Sequence, residues 1–205
     1  MANSFFLVED HSLMRQGIVN YLATDMNLKC AGEAGTAQEF FLAMAQGDCI
    51  PDVLITDLNI EGSMNGGISL IQSCRRKFPS IKIVVYSMYA AASVVSTAIK
   101  AGADAYVSKL SNEEELGIAI KRVFEGKSYI DSAISAHLVD YERSLSLFTQ
   151  RELEILNLIL LGNQNSSIAE KLNLNKRSVE NYIGHIYDKT GFSSKEELIE
   201  NFGCK

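Results

Sequence analysis

Between residues 5 and 109, short apolar runs of strand length alternate with amphipathic stretches of helix length, and most of the runs stop at a polar or charged residue. Phe5-Phe6-Leu7-Val8 ends in Glu9-Asp10, and Val53-Leu54-Ile55-Thr56 ends in Asp57. Ile81 to Val85 ends in Tyr86-Ser87, Asp104 to Val107 ends in Ser108-Lys109, and Leu28 to Ala31 is a shorter run between the first two. Consecutive rather than alternating apolar residues suit strands of a parallel sheet covered on both faces, so helices must flank it. The first is capped by Ser12, with Leu13, Ile18, Val19 and Leu22 inward; Thr36 to Ala45 is the second. A third, with Ile68, Leu70 and Ile71, stops near Phe78-Pro79, because proline discourages continuation. Ser93 to Lys100 is closed by Gly102, and a last helix, capped by Ser111, runs to Phe124 with Glu113 to Glu115 in its favoured acidic first turn. Five strands alternating with five helices predict an α/β domain, a five-stranded doubly wound parallel sheet, over residues 1–125.

The pattern then changes. Glu125 to Ile130 reads as a helix stop and turn, and residues 126–147 form a linker whose helix carries Ile134, His137, Leu138 and Tyr141 at helical spacing. His137 is structural in this reading. Thr149 stands three residues before Glu152, a capping box ahead of Leu153, Leu156, Ile159 and Leu160. Gly162 ends that helix, Ser166 to Leu172 makes a short one, and after Asn173-Leu174-Asn175 a third runs from Lys176 to Lys189 on a stripe of Val179, Ile183 and Ile186. Residues 148–205 are therefore a small all-α domain. Two short helices joined tightly fit a helix-turn-helix, or a generic helical hairpin; spacing alone does not separate them.

Composition narrows the class. In 205 residues, 47% hydrophobic content and a mean hydropathy of +0.04 suit a globular, soluble protein. No apolar run approaches the roughly 20 residues that cross a bilayer, and the start lacks the basic-then-apolar order of a signal peptide. A cytoplasmic protein with no membrane partner is expected. Cys30, Cys49, Cys74 and Cys204 show no metal or redox spacing, which fits unpaired thiols in a reducing compartment. His11, His137 and His185 share no metal-ligand spacing either. The net charge of -6 and pI near 5.1 weigh against an extended nucleic-acid surface.

Chemistry enters at the strand ends, because ligands of open parallel sheets bind outside the carboxyl edge. Asp57 alone is as well explained by a turn. Together with Glu9, Asp10, Ser87 and Lys109 it makes three carboxylates, a hydroxyl and an ammonium at one predicted edge. Clustered carboxylates repel one another, and a hard cation such as Mg2+ relieves that with oxygen ligands. An aspartate can attack phosphorus to give an aspartyl phosphate. A lysine neutralises charge on the transferring group, and a serine can donate to its oxygens afterwards. No general base or substrate cleft beyond these carboxylates is evident, so an enzyme acting on other molecules is not expected.

Here the first 125 residues resemble a receiver domain of two-component response regulators: "VEDHSLMRQGI", "DVLITDL", "VVYSM" and "AGADAYVSK" match that family's motifs in order. The resemblance implies a flavodoxin-like sheet, Asp57 as phosphoacceptor, Ser87 as switch hydroxyl, Lys109 as the phosphate-pairing cation and Tyr106 as the aromatic that moves inward with Ser87. It implies Mg2+ held by Glu9, Asp10, Asp57 and the backbone carbonyl of Asn59, and a sensor histidine kinase as partner. Two places depart from the pattern. Ile60-Glu61-Gly62 replaces Met-Pro-Gly, in a segment two residues longer than usual with Glu61 expected in solvent, and Leu110 follows Lys109 where a proline is common.

Residues 148–190 likewise resemble the LuxR-type helix-turn-helix of NarL/FixJ regulators, with Thr149, Arg151, Glu152, Gly162, Ile168, Ala169, Leu172, Val179, Ile186 and Lys189 on matching positions. That implies sequence-specific binding of promoter DNA, usually as a homodimer once phosphorylated, contact with RNA polymerase, and transcription regulation as output. The DNA-facing set implied is Lys176, Arg177, Ser178, Glu180, Asn181, Gly184 and Lys189. Glu180 replaces a lysine of the family and Gly184 an often basic residue. Residues 148–205 hold seven Lys+Arg against eight Asp+Glu, so phosphate attraction is weak. Lys176 and Arg177 suit phosphates, Asn181 suits the N7 and N6 edge of adenine, and Glu180 either accepts from a cytosine amino group or repels DNA. The alternative expectation is a phosphorylation-gated protein-binding module whose helix-turn-helix has lost DNA binding.

Overall fold

The computed structural model describes residues 3–47, 50–160 and 162–202, which divide into two compact units, one of residues up to 90 with 95–135 and the other of residues 91–94 with those from 136 onward. Cys49 and Cys204 lie outside the described residues; Cys30 and Cys74 are free thiols.

The first unit runs β1 (Ser4–Val8), α1 (Ser12–Thr24), β2 (Lys29–Ala34), α2 (Ala37–Gln46), β3 (Val53–Thr56), α3 (Met64–Lys77), β4 (Lys82–Ser87), α4 (Ala92–Ala101), β5 (Ala105–Ser108), α5 (Glu114–Phe124) and β6 (Tyr129–Ile130). All neighbouring strands are parallel, in the order β2-β1-β3-β4-β5-β6. That is the doubly wound arrangement, with its chain reversal between β1 and β3. Every residue of β1, β3 and β5 is buried, as their unbroken apolar runs require. Phe5, Leu7, Val53 and Ile55 pack on one face against Ile18 and Leu22 of α1 and Leu116, Ile120 and Val123 of α5. The alternate residue Phe6 meets Phe40 of α2 edge to face on the other, with ring centroids 5.0 Å apart.

Three expectations change. The sheet has six strands, not five: Gly126 (φ 75°) turns the chain after α5, and Tyr129 N–H and Asp131 N–H bond to the carbonyls of Asp104 and Tyr106. A two-residue strand is too short to show a period, and it forms because β5 otherwise leaves an unpaired edge. Leu13 is 85% exposed, because it lies on the solvent side of α1. Neither Ser12 nor Ser111 caps its helix; α1 begins after His11, and Asn112 Oδ1 accepts the Glu114 N–H at 3.4 Å.

Two staples hold the sheet opposite its functional edge. Asp52 Oδ2 accepts both the N–H (2.7 Å) and hydroxyl (2.8 Å) of Ser4, tying the starts of β1 and β3. Arg75 donates to the carbonyls of Pro79, Ile81 and Gly102 and to Asp104 Oδ2 at 2.6–3.1 Å. The two acids that bracket β3 thus have separate fates: Asp52 is structural, and Asp57 faces the site.

The second unit takes in Ala91–Val94 at the start of α4 and most of α6 (Ser132–Ser146), then α7 (Gln150–Leu160), α8 (Asn165–Leu172), α9 (Lys176–Thr190) and α10 (Lys195–Phe202). Its core unites Ile155, Leu156 and Ile159 with Ile168 and Ala169, Val179, Ile183 and Ile186, and Leu198 and Phe202, while Tyr141 and Leu145 of α6 pack against it. The Thr149 capping box is present: Glu152 Oε2 accepts the Thr149 N–H at 2.6 Å, and Thr149 Oγ1 accepts the Glu152 N–H at 3.3 Å. α10 was not expected, although its start has the same signal: Ser194 Oγ accepts the Glu197 N–H, and Glu197 Oε2 accepts the N–H groups of Ser193 and Ser194. Asn173 (φ 52°) takes the left-handed turn between α8 and α9, where an asparagine is tolerated.

Candidate functional site

Parallel register brings the strand ends level. Val8 pairs with Thr56 and Ser87 with Ser108, so the residues that follow, Glu9, Asp57 and Lys109, emerge at one edge. The Asp57 N–H bonds to the Val8 carbonyl at 3.0 Å and the Lys109 N–H to the Ser87 carbonyl at 2.8 Å.

There, three buried side chains meet. Lys109 Nζ lies 2.6 Å from Glu9 Oε2 and 2.6 Å from Asp57 Oδ2. Burial alone would lower the Lys109 ammonium, but the hydrogen bonds and charges of Asp57 and Glu9 outweigh it and hold it above the ordinary lysine range. Asp57 Oδ1 accepts the N–H groups of Leu58 (2.6 Å) and Asn59 (3.2 Å), so one oxygen is fixed by the backbone and the other faces the cation. Two carboxylates and one ammonium leave an uncompensated negative charge out of water, and Asp10 beside them adds another.

Asp10 is held by the Glu61 N–H at its Oδ2 (3.1 Å), while its Oδ1 is buried, accepts no hydrogen bond among the described residues and lies 2.8 Å from Nδ1 of His11. Donor atoms of Glu9, Asp10 and His11 fall within 4.8 Å of one another, a spacing that could hold a metal ion. His11 shares no spacing with another histidine; its partners are its chain neighbours Glu9 and Asp10. Arg15 was also missed as a participant: its Nη1 donates to the Glu9 carbonyl at 2.6 Å and so fixes the backbone of the acidic pair. Its place on the inner turn of α1, six residues after Glu9, was the available signal.

Ser87 and Tyr106 are both fully buried. The Tyr106 ring is turned inward, and its hydroxyl donates to the Tyr89 carbonyl at 2.5 Å. Both departures from the family pattern have local explanations. Leu110 keeps an N–H that proline lacks, and it bonds to Ser108 Oγ at 3.1 Å in a loop with trans peptides. Ile60 to Ser63 closes a turn with Glu61 (φ 57°) and Gly62 (φ 71°) both left-handed, the Ser63 N–H bonding to the Ile60 carbonyl at 3.1 Å; the Glu61 side chain is in solvent.

In the second unit, α9 buries Val179, Ile183 and Ile186 and exposes Lys176, Arg177, Glu180 and Asn181, with Ser178 and Gly184 half-buried. Asn175 Oδ1 caps its start by accepting the Ser178 N–H at 2.7 Å, and Arg151 Nη2 caps the end of α8 at the Leu172 carbonyl, also 2.7 Å. Lys176 lies 3.9 Å from Glu180 one turn on. Lys189 remains exposed, but its ammonium pairs with the buried Glu152 carboxylate at 2.6 Å. Exposed Asp188 shares the outer stripe with Arg177, Asn181 and Gly184.

The family model of the response regulator receiver domain matches residues 5–121, and that of the bacterial regulatory proteins, luxR family, matches residues 146–202. The DNA-binding transcriptional activator DevR/DosR of Mycobacterium tuberculosis is 31% identical over 200 residues, covering 94% of this chain and 90% of that protein. The oxygen regulatory protein NreC of Staphylococcus epidermidis is 31% identical over 207 residues, covering 95% and 94%. Among solved structures, RcsB in two dimers bound to two parallel DNAs aligns with a TM-score of 0.73 at 25% identity over 98% of each chain. RcsB of Salmonella enterica serovar Typhimurium, bound to promoter rprA in the presence of the phosphomimetic BeF3-, aligns with a TM-score of 0.71 at 25% identity over 98% of each chain.

Proposed function

We propose a phosphorylation-controlled transcriptional regulator, on the premise that this chain belongs to the response regulators in which a receiver domain precedes a luxR-family helix-turn-helix. In this reading residues 1–125 receive the signal, 126–147 link, and 148–205 bind promoter DNA. The observation that carries it is the buried triangle of Glu9, Lys109 and Asp57, an ammonium 2.6 Å from each carboxylate at the carboxyl edge of the sheet.

Asp57 Oδ2 attacks the phosphorus of a phosphohistidine on a sensor kinase; the P–N bond breaks, the O–P bond forms, and an acyl phosphate results. Lys109, freed from the Asp57 oxygen that becomes esterified, pairs with a phosphoryl oxygen. Ser87 donates its hydroxyl to another, and Tyr106 occupies the space beside it. The residues fit a hard divalent cation: among the described residues Asp10 Oδ1 is buried without a hydrogen bond, with His11 Nδ1 2.8 Å away, and Glu9, Asp10, Asp57 and the Asn59 carbonyl offer oxygens. Glu9, Asp10, Asp57 and the Asn59 carbonyl would hold Mg2+, which supplies neutralisation of charge on the transferring group. The new negative charge on Asp57 then shifts the population of receiver conformations toward one that dimerises and engages DNA.

At the DNA, Lys176, Arg177 and Ser178 at the start of α9 contact phosphates, while Asn181 and Glu180 meet base edges and Gly184 allows close approach. RNA polymerase at the promoter and the cytosol as compartment belong to the same reading; among the described residues no helix is long and apolar enough to cross a membrane. A second reading, a protein-binding module that no longer reads DNA, is favoured by Glu180 and Asp188 on the exposed stripe and by the inward pairing of Lys189.

Two experiments separate these outcomes. Incubation with a small phosphodonor and Mg2+ should label wild type and not Asp57→Asn; equal labelling of both removes Asp57 as phosphoacceptor. Selection from random duplexes with phosphorylated protein at low salt should enrich a motif that Asn181→Ala loses. No enrichment at any salt leaves the protein-binding module.

A further inference from the structure

Asp131 is a buried carboxylate, 1% exposed, that stands between β5 and α6 and that no step of the phosphoryl chemistry uses. Its main-chain N–H bonds to the Tyr106 carbonyl at 3.0 Å, as part of the short β6 pairing. Its Oδ2 accepts the Ser108 N–H at 3.3 Å, the residue before Lys109. Its Oδ1 accepts the Ala133 N–H at 2.9 Å, and its carbonyl accepts the N–H groups of Ile134 and Ser135 at 3.0 Å each. One residue therefore holds the strand that carries the aromatic switch and the phosphate-pairing lysine, and also the first turn of the helix whose later residues Tyr141 and Leu145 pack in the second unit.

The energetics favour a firmly held start to α6. A buried carboxylate is costly unless hydrogen-bonded, and here the orphan Ala133 N–H of the helix start satisfies one oxygen while the Ser108 strand amide satisfies the other. Removing either donor leaves a desolvated charge, so strand end and helix start move together or the bridge breaks. Movement of Ser108 and Lys109, when Lys109 exchanges Asp57 for a phosphoryl oxygen, reaches Asp131 through a single hydrogen bond.

We infer that Asp131 is the positioning residue that couples the phosphorylation state of Asp57 to helix α6, by bridging the Ser108 amide to the first-turn amide of Ala133. The inference rests on the phosphoacceptor reading, and the test keeps the two apart.

The full chain is taken as wild type, Asp131→Ala and Asp131→Asn, each with and without beryllofluoride and Mg2+, and phosphate incorporation from a small phosphodonor is measured in parallel. Incorporation should stay within twofold in all three. Amide exchange of residues 132–146 should change at least fivefold on beryllofluoride binding in wild type, by less than twofold in Asp131→Ala, and by an intermediate amount in Asp131→Asn, which keeps a single acceptor oxygen. The readout is the ligand-induced difference, which a merely stabilising role would leave intact. Should Asp131→Ala not fold, Asp131→Asn carries the test, and a wild-type response there overturns the proposal. So does a full response in Asp131→Ala, or a wild type that incorporates phosphate without any change in α6, and in both cases the phosphoacceptor reading stands. No incorporation in wild type removes that reading and the coupling with it.

Discussion

The Lys189 ammonium is locked onto Glu152, 2.6 Å from an acid whose side chain is 3% exposed, and joins the end of α9 to the capping box of α7. Sequence placed Lys189 among the DNA contacts, but the geometry gives it an internal duty. Lys189→Met leaves the buried Glu152 with the Thr149 donors and with His185 Nδ1 3.9 Å away, and should cost about 2 kcal/mol in urea unfolding of the second unit. The slope of log K against log salt for DNA binding should not change; a slope smaller by about 1 would return Lys189 to the phosphate contacts.

The same pair sets an acid sensitivity. Burial pushes the Glu152 carboxyl up, but its hydrogen bonds to Lys189 and Thr149 and the Lys189 charge outweigh that and hold it below its usual value of 4.5. A folded-state value below the unfolded one gives stability that is fully present above the unfolded value and lost as pH falls through the folded one. Denaturation midpoints of the second unit should therefore fall between pH 5 and 3, and Glu152→Gln should flatten that fall. An equally steep fall in Glu152→Gln would assign the effect to other groups.

Gly67 packs its Cα against the loop that follows β3, at Asp57 and Leu58. A Cβ there would stand 2.4 Å from Leu58 Cα, 2.6 Å from the Leu58 oxygen and 2.7 Å from the Asp57 oxygen, all backbone atoms. Gly67→Ala should cost at least about 2 kcal/mol of receiver stability and slow phosphate incorporation, because the loop that fixes Asp57 must move. A variant of unchanged melting temperature and rate would contradict the close approach.

Glu61 holds φ at 57° beside Asp10, in a region that costs a side chain roughly 1 kcal/mol or more. Glu61→Gly keeps the amide that bonds Asp10 Oδ2 and should stabilise the receiver by about 0.5–1 kcal/mol, with the Mg2+ dependence of labelling unaltered. A loss of stability on thermal denaturation would count against the left-handed turn.

Arg15 grips the carbonyl of Glu9 at 2.6 Å without facing the acids directly. Outer supports of this kind typically change metal affinity by about 10-fold or more when removed. Arg15→Ala should raise the Mg2+ concentration that half-saturates labelling by about that factor and leave labelling at saturating Mg2+ near wild type. An unshifted Mg2+ curve would make Arg15 a purely structural clamp.

The legible parts were local. Unbroken apolar runs identified β1, β3 and β5 because a strand buried on both faces has no polar side to show, and Thr149 with Glu152 announced α7 through a three-residue spacing. What escaped was short or depended on a distant partner. β6 has two residues and exists only because β5 offers an edge; Leu13 looks like a core residue until α1 is set against the sheet; and α10 hides an N-terminal signal, Ser194 with Glu197, behind a weak apolar pattern.

By itself, then, the chain order of apolar and polar residues determined the alternating α/β half, the all-α half, and the types of group that stand at the strand ends. Tertiary structure decided which of those groups touch. Lys109 and Glu9 are 100 positions apart, and only parallel register across β1, β3, β4 and β5 brings them within 2.6 Å. The same holds for Lys189, whose ammonium reaches Glu152 through the packing of α9 on α7 although the residue stays exposed, and for Asp131, which becomes a bridge once β6 lies beside β5. The physical reason is that side-chain periodicity is written by near neighbours, whereas a hydrogen bond is satisfied by whatever the folded chain places within about 3 Å of it.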